Sequence, residues 1–322
     1  MTISRQVWLG LIAFLAASIS LPSIGSGQWL SILTSTSCFV IAITGVAFLY
    51  ARLGMVSLGQ VALMGVGGWV MLRMNHAYLL PFELNLMVAV VVTMVFGWIL
   101  ALPALRMRGL YLALITLMAA GGLEVIFATF RFPNGGEGFW GVMPSVAAPF
   151  RRPEIAQSDS AYLRYVITFV ALGFAIIRLH LCSAPGRAWA MIRRSEAAAL
   201  ASGVNVTYYK AWGFGLSGAL AGLAGAFLAG SLGLLDASTF RASESILLFA
   251  LAVVGGVRYW YGVVIAALLL RVLPALFNNW SLDPDLALII FGAALMHSII
   301  TAPQGIAGQL NDLLAKLRGK HD

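Results

Sequence analysis

Apolar runs follow one another along almost the whole chain, and this pattern constrains the fold more than any other feature of the sequence. Ten runs are separated by charges, prolines or glycine-rich junctions, at 7–24, 29–50, 55–75, 84–104, 108–130, 162–182, 210–230, 245–257, 259–277 and 285–302. Most of them approach the ~20 apolar residues that a helix needs to cross ~30 Å of hydrocarbon. Because 61% of the residues are apolar and only 10% are charged, a soluble globular fold is excluded. The sequence therefore predicts an all-α, polytopic membrane helix bundle with about ten spans.

The positions of the basic residues predict how these spans are oriented. With the N-terminus in the cytoplasm, 13 of the 20 lysines and arginines fall on the cytoplasmic side. Such an excess in short inner loops is what the positive-inside rule describes. We therefore expect one transmembrane domain over 1–322 with both termini in the cytoplasm. Its loop 131–161 lies outside, while the loop 183–209 and the tail 303–322 are cytoplasmic.

Two of the spans are predicted to be irregular. The stretch 54–75 carries five glycines, which disfavour a stiff helix. The run 245–257 is only ~20 Å long as a helix, shorter than the hydrocarbon, and it contains a Gly-Gly pair. Broken helices within a membrane are tolerated only where they are buried in protein or line a water-filled path. The two irregular spans are therefore compatible with close helix packing and with a translocation path. The candidate path residues are Ser57, Gly59, Gln60, Glu124, Gly255 and Gly256.

Apart from Asp285 at the very start of the last run, Glu124 is the only acid that falls within a predicted span. Placing a carboxylate in hydrocarbon is costly, so an intramembrane acid is by default a functional candidate. In that interpretation Glu124 meets the ammonium group of a substrate or takes part in a polar relay. The alternative is a residue near the outer end of its helix that pairs with Arg131.

The longer inner loop contains a predicted amphipathic helix. Residues 183–186 break the preceding span, residues 187–202 have helical composition, and Gly203 supplies a C-terminal stop. Met191 and Ala198 lie in a small and apolar stripe of this helix. A short amphipathic helix of this kind either lies on the membrane surface or inserts into a groove of a partner protein.

No motif for catalysis or cofactor binding is present. None of the three lysines belongs to a Walker A motif. Residues 213–218 match the pattern GxGxxG, but they lie in an apolar helical run without a preceding strand. Together with Gly222 and Gly225 they indicate close helix packing. We therefore expect no enzymatic activity, no cofactor, no metal site and no nucleic-acid partner.

The inner loop also carries the most specific family resemblance in the chain. The block GRAWAMIRRSEAAA at 186–199, followed by SGVN at 202–205 and KAWGF at 210–214, resembles the coupling loop of permeases in branched-chain amino-acid ABC importers. Further blocks agree in order, namely GMVSLGQ at 54–60, LRMRGLYLALITL at 105–117, NGGEG at 134–138, SGALAGLAG at 217–225, VGG at 254–256 and PQGI at 303–306. The resemblance covers nearly the full length and is strongest to the M-type permease subunit.

This resemblance implies a permease subunit of an ATP-driven importer in the bacterial inner membrane, with a path for a small amino acid and branched-chain amino acids as the leading substrates. The implied partners are a second, related permease, two cytoplasmic ATPases and a periplasmic substrate-binding protein. ATP is then handled by another chain. The residues that would couple this permease to an ATPase are Gly186, Arg187, Ile192, Arg193, Glu196, Ala197 and Gly203.

Three departures from the family pattern concern the substrate. Relatives often have a glutamate soon after the position of Leu117, whereas here Glu124 stands slightly later. Gln304 stands where a glutamate is common, and the segment 258–261 is bulkier than the usual glycine-rich turn. A urea or amide importer of the same family is therefore one alternative. An ion-gradient-driven secondary transporter of small polar solutes is another, because it would explain the broken spans and Glu124, although not the inner helix.

Overall fold

The computed structural model of the chain describes residues 5–24, 27–78, 80–104, 106–107, 109–130, 132, 150–283, 286–301 and 304–318. Within these ranges the protein consists of α-helices joined by short turns, without a strand. The helices are α1 (Arg5–Ile24), α2 (Gly27–Phe48), α3 (Gln60–Ala77), α4 (Phe82–Ala104), α5 (Leu110–Thr129), α6 (Asp159–Cys182), α7 (Ala184–Arg194), α8 (Glu196–Ala201), α9 (Val206–Leu232), α10 (Ala242–Gly255), α11 (Trp260–Asn279), α12 (Leu286–Thr301) and α13 (Gly305–Arg318).

Each of the ten predicted spans contains one of these helices, which confirms the predicted helical membrane bundle. Six helical stretches in the described ranges are long and apolar enough to cross a membrane, namely Gly27–Leu53, Phe82–Pro103, Leu110–Thr129, Asp159–Cys182, Val206–Leu232 and Trp260–Asn279. The apolar stretches of α1, α10 and α12 are shorter. The count of about ten spans therefore stays a prediction.

Helices α2 and α9 form the centre of the bundle. In their most apolar windows 89% and 83% of the residues are buried, against 22–33% in the other four long stretches. Helix α9 packs along α2, α3 and α4. The outer helices present apolar side chains on the surface, such as Val91 on α4 and Met118 on α5, as expected where a helix faces lipid or another subunit.

Small residues bring α9 close to its neighbours. A Cβ atom added to Gly67 on α3 would lie 2.5 Å from the Cα atom of Gly222. A Cβ atom added to Gly218 would lie 2.5 Å from the carbonyl oxygen of Thr93 on α4. Any larger residue at either glycine would force the helices apart. The predicted small-residue packing face of α9 is thus confirmed.

The chain is not helical between α2 and α3. A π-helical turn, Leu49–Leu53, continues α2, and Gly54 then takes a φ of +70° that glycine adopts without steric cost. Residues 55–59 are irregular, and α3 begins at Gln60. The irregular backbone predicted for 54–75 is therefore confirmed, but it is confined to 54–59, and the later glycines lie inside α3.

Candidate translocation path and coupling surface

A polar cluster around Gln60 lies where α3 begins. The Gln60 side-chain amide donates to the carbonyl oxygens of Ala42 on α2 (3.0 Å) and Ser217 on α9 (3.2 Å). The Ser217 hydroxyl donates to Gln60 Oε1 at 3.0 Å. Both side chains are fully enclosed. Gln60 therefore joins three helices through its side chain.

This cluster lies near mid-depth of the bundle. At 1.5 Å of rise per residue, Ala42 is about 16 Å from the end of its helical stretch at Leu53, and Ser217 is about 16 Å from the start of α9 at Val206. These distances are about half of the ~30 Å hydrocarbon thickness. The break between α2 and α3 therefore runs from the end of the α2 stretch to mid-depth at Gln60, where irregular backbone must be enclosed by protein or line a cavity.

Side chains from two other helices satisfy backbone donors around the break. The amide of Leu58 donates to the Thr116 hydroxyl on α5 at 2.9 Å, and the amide of Val61 donates to the Ser245 hydroxyl on α10 at 3.2 Å. An unsatisfied amide in hydrocarbon costs several kcal/mol. Thr116 and Ser245 therefore stabilise the unwound segment.

Three of the predicted path residues belong to this region. Ser57 and Gln60 are buried, and a Cβ atom added to Gly59 would lie 3.3 Å from the side chain of Leu100 on α4. The structure thus brings Ser57, Gly59 and Gln60 together with hydroxyls that the sequence did not single out, those of Thr116, Ser217 and Ser245. Their assignment to a path stays a prediction.

Glu124 contacts the start of α10. Its Oε2 atom accepts a hydrogen bond from the backbone amide of Ala242 at 2.8 Å. A carboxylate at this position is stabilised because the N-terminal end of a helix carries partial positive charge and unpaired amides. The alternative partner, Arg131, lies outside the described residues, as do residues 133–149 of the predicted outer loop.

Gly255 and Gly256 lie in a tightly packed junction. Gly256 ends α10 with a φ of +108°, and a Cβ atom there would lie 2.7 Å from the carbonyl oxygen of Gln304. A Cβ atom on Gly255 would lie 2.9 Å from the Cβ atom of Ala266 on α11. This geometry favours close packing of α10, α11 and α13, and a path role for the two glycines stays a prediction.

The inner loop forms two helices, so the single helix predicted over 187–202 is wrong. Ser195 takes an extended conformation between α7 and α8, and its hydroxyl accepts a hydrogen bond from the amide of Ala198, which caps α8. Gly203 ends α8 with a φ of +78°. The amide of Val204 donates to the Ala199 carbonyl, and that of Gly203 to the Leu200 carbonyl, the pattern of a Schellman motif. The predicted stop at Gly203 is confirmed.

Trp189 fastens α7 to the bundle. Its side chain is fully buried, and its indole N–H donates to the carbonyl oxygen of Tyr209 on α9 at 2.8 Å. Its ring lies edge-on to Phe48 at the end of α2, with 4.8 Å between ring centroids. Ile192, one helical turn further along, is also buried. The apolar face of α7 is therefore already occupied by the protein itself.

Two polar contacts fix the region where α7 ends and α8 begins. Lys210 Nζ and Glu196 Oε1 are 2.7 Å apart, with 4% of the lysine side chain and 21% of the glutamate side chain exposed. Arg193 donates from Nη1 to the carbonyl oxygen of Tyr50 at 3.2 Å. The α7–α8 pair is thus tied to both central helices, α2 and α9.

These contacts divide the predicted coupling residues into two groups. Ile192 and Glu196 contact the protein's own bundle, and Gly186 packs against the backbone of Leu181 in the turn between α6 and α7. Arg187, Ala197 and Gly203 are exposed, and Arg193 is exposed although it donates to the carbonyl oxygen of Tyr50.

The outward side of the two helices also exposes apolar residues. Leu200 is 61% exposed and Met191 is 36% exposed. Ala198 and Ala201 are exposed as well. We call Met191, Ala197, Ala198, Leu200 and Ala201 the apolar docking face. No individual role was predicted from the sequence for Leu200, Trp189 or Lys210, and for Lys210 the one signal was that a lysine occurs next to a long apolar run.

A bundle of apolar helices, with a break that reaches mid-depth and with an anchored helix pair at one end, is the architecture of a polytopic membrane protein and is compatible with a permease. A family model described as "Branched-chain amino acid transport system / permease component" matches residues 28–299. The chain therefore belongs to this family and is a membrane-spanning permease subunit of a transport system. The family consists of transporters, and its members work with other components of such a system.

Two curated relatives are similar over most of their length. The high-affinity branched-chain amino acid transport system permease protein LivM of Salmonella typhimurium (strain LT2) is 27% identical, with 92% of this chain and 74% of the relative covered. The protein of the same name from Escherichia coli (strain K12) is 26% identical with the same coverage. No solved structure matches the chain.

Proposed function

We propose that the chain is the M-type permease subunit of an ATP-driven importer of branched-chain amino acids in the bacterial inner membrane. Its proposed partners are a second, related permease, two cytoplasmic ATPases and a periplasmic substrate-binding protein. The relatives' names support the substrate class. In this proposal the ends of the chain and the α7–α8 pair are cytoplasmic, and 131–161 is periplasmic.

The exposed apolar docking face is the observation that supports coupling to an ATPase most strongly. Trp189 and the Glu196–Lys210 pair hold α7 and α8 against α2 and α9. Leu200 nevertheless points away from the protein, with 61% of its surface exposed. An apolar helix face that its own bundle leaves open is suited to a groove of a partner protein. Movement of this face would be transmitted to α2 and α9, because Trp189 and the Glu196–Lys210 pair connect it to them.

The polar cluster around Gln60 supports a path next to the unwound segment 54–59. Discontinuous helices in transporters place helix termini and free backbone groups near the membrane midplane, where the substrate is bound. The start of α3 at Gln60 has that position. In the proposal, movement of α2 and α9 opens or closes the path beside this cluster.

Capture of the ATPases by detergent-solubilised permease tests the coupling role. We expect Leu200→Asp to weaken capture at least tenfold, because the carboxylate must be desolvated in an apolar groove. Thr207→Asp is the matched control, since it adds the same charge to an exposed site of the same end of the bundle, at the start of α9 where an acid is favoured. Undiminished capture by Leu200→Asp would contradict the proposal.

Reconstituted vesicles separate this proposal from a secondary transporter. With the partner subunits present, leucine uptake is expected to require ATP and to be insensitive to an imposed ion gradient. Uptake driven by the gradient alone would support the ion-coupled alternative. A preference for urea or an amide over leucine under the same conditions would support the alternative of a urea or amide importer.

The orientation is open to a direct labelling experiment. Cys182 is exposed at the α7 end of the bundle, whereas Cys38 is buried. An impermeant thiol reagent is expected to label Cys182 only from the cytoplasmic side, and a cysteine introduced at Gln157 only from the outside. Labelling of Cys182 from the outside would reverse the proposed topology.

A further inference from the structure

Four arginines line one cleft between the end of α2 and the outer side of α7. The cleft has a volume of about 550 Å³, and the arginines are Arg52, Arg187, Arg193 and Arg194. Its remaining wall is made by the small or aliphatic residues Ala51, Leu181, Gly186 and Ala190. A volume of this size is within the range of small-ligand sites.

Among the described residues, no acidic side chain neutralises the charge of this arginine cleft. No carboxylate among the described residues lies within 4 Å of the four guanidinium groups, and the one hydrogen bond that Arg193 makes is to the neutral carbonyl of Tyr50. Arg178 and Arg258 add further positive charge that acts on Arg52. Like charges gathered in one cleft repel each other, so the arrangement is favourable when an anion occupies it.

The position of the cleft identifies the kind of anion. Arg52 lies at the end of the apolar stretch Gly27–Leu53, and Leu181 lies at the end of the stretch Asp159–Cys182. The cleft is therefore level with the boundary between hydrocarbon and water. Leu181 and Ala190 give it an apolar side next to the arginines, which suits a molecule with a charged head and an apolar body.

We propose that the arginine cleft binds the phosphate headgroup of an anionic phospholipid from the leaflet at the α7 end. Basic pockets between helices on the cytoplasmic side of membrane proteins bind such headgroups, and guanidinium groups match phosphate oxygens in paired hydrogen bonds. A bound lipid would hold α7 against the end of α2, on a face of α7 different from that of Trp189. The proposed lipid site depends on the four arginines and on their level in the membrane. It does not depend on which substrate is transported.

The cleft shares no residue with the apolar docking face, although Gly186, Arg187 and Arg193 of its lining are among the residues predicted to couple to an ATPase. None of its lining residues belongs to α8, whereas Leu200, the most exposed apolar residue of the docking face, does. Lipid and partner protein can therefore occupy neighbouring sides of the same helix pair. The experiment can consequently measure the two kinds of binding independently.

Native mass spectrometry of the full-length protein, purified with its co-purifying subunits, tests the proposal. The protein is titrated with cardiolipin or phosphatidylglycerol in a phosphatidylcholine background. We expect Arg52→Gln and Arg194→Gln each to weaken retention of the anionic lipid about fivefold and the double variant to weaken it about thirtyfold. Arg164→Gln, which removes an exposed arginine at the opposite end of α6, is expected to change nothing. If Arg52→Gln fails to fold, Arg187→Gln replaces it.

Two further measurements decide the source of the anion. An excess of inorganic phosphate is expected to leave most of the lipid bound, whereas complete displacement would identify a free-phosphate site and overturn the lipid proposal. Unchanged lipid retention in the double variant would also overturn it. If that variant keeps its lipid but loses the ATPases, the arginines bind an acidic protein surface instead.

Discussion

Neutralising Glu196 is expected to destabilise the α7 end of the bundle, because Lys210 would lose its charged partner. The lysine side chain is only 4% exposed and lies 2.7 Å from the Glu196 carboxylate. Breaking a buried ion pair by removing one partner costs about 3–5 kcal/mol. Since 21% of the glutamate side chain is exposed, water screens part of the interaction. We therefore expect Glu196→Gln to lower the free energy of unfolding by about 2–3 kcal/mol.

A double-mutant cycle separates the pair from its surroundings. Lys210→Met alone is expected to cost about 1 kcal/mol, because the partly exposed carboxylate can be hydrated. If the two groups interact, the double variant Glu196→Gln, Lys210→Met loses less free energy of unfolding than the two single variants lose together. We expect the difference to be about 1–2 kcal/mol.

Unfolding is measured by titrating dodecyl-sulfate into mild detergent while tryptophan fluorescence is recorded. Trp189, one of nine tryptophans that contribute to the signal, is sensitive to this region because its indole donates to the carbonyl oxygen of Tyr209, next to Lys210. Glu154→Gln, at an exposed acid away from α7, is the control and should be neutral. Strict additivity of the two single variants would refute the reasoning.

Three further predictions concern single sites. Gln60→Met removes three buried hydrogen bonds, and at about 0.6 kcal/mol for each within a membrane we expect a loss of about 2 kcal/mol in the same unfolding assay; an unchanged midpoint would mean that the cluster is not structural. Gly203→Ala places a Cβ atom at a φ of +78° and is expected to cost about 1–2 kcal/mol, whereas Ser202→Ala, its neighbour, should cost less. The Ser238 hydroxyl and amide hold the pKa of Asp236 below its ordinary value, so its stabilising effect is present above the ordinary aspartate pKa and is lost as the pH falls through the lowered one. Asp236→Asn should remove this part of the loss of stability at low pH. An unchanged loss of stability at low pH in this variant would disprove the assignment.

The candidate site was only partly predictable, as α7 and α8 illustrate. The stop at Gly203 was predictable because a glycine after a helical run supplies the positive φ that the motif needs. The break at Ser195 was missed, since residues 187–202 are all compatible with one helix. Only the packed protein decides that Trp189 enters the bundle and that Ser195 turns the chain so that Glu196 meets Lys210.

The amino-acid sequence by itself determined the class of fold, the helices of the ten apolar runs, the small-residue face of α9 and the family. These features depend on composition, periodicity and short motifs, which are local along the chain. Tertiary structure alone decided the partners of the polar groups. Gln60 meets Ser217 over 157 residues of chain, and Glu124 meets the amide of Ala242 over 118. The physical reason is that a buried polar group must find a hydrogen bond wherever packing places one, and that place is set by how all the helices fit together.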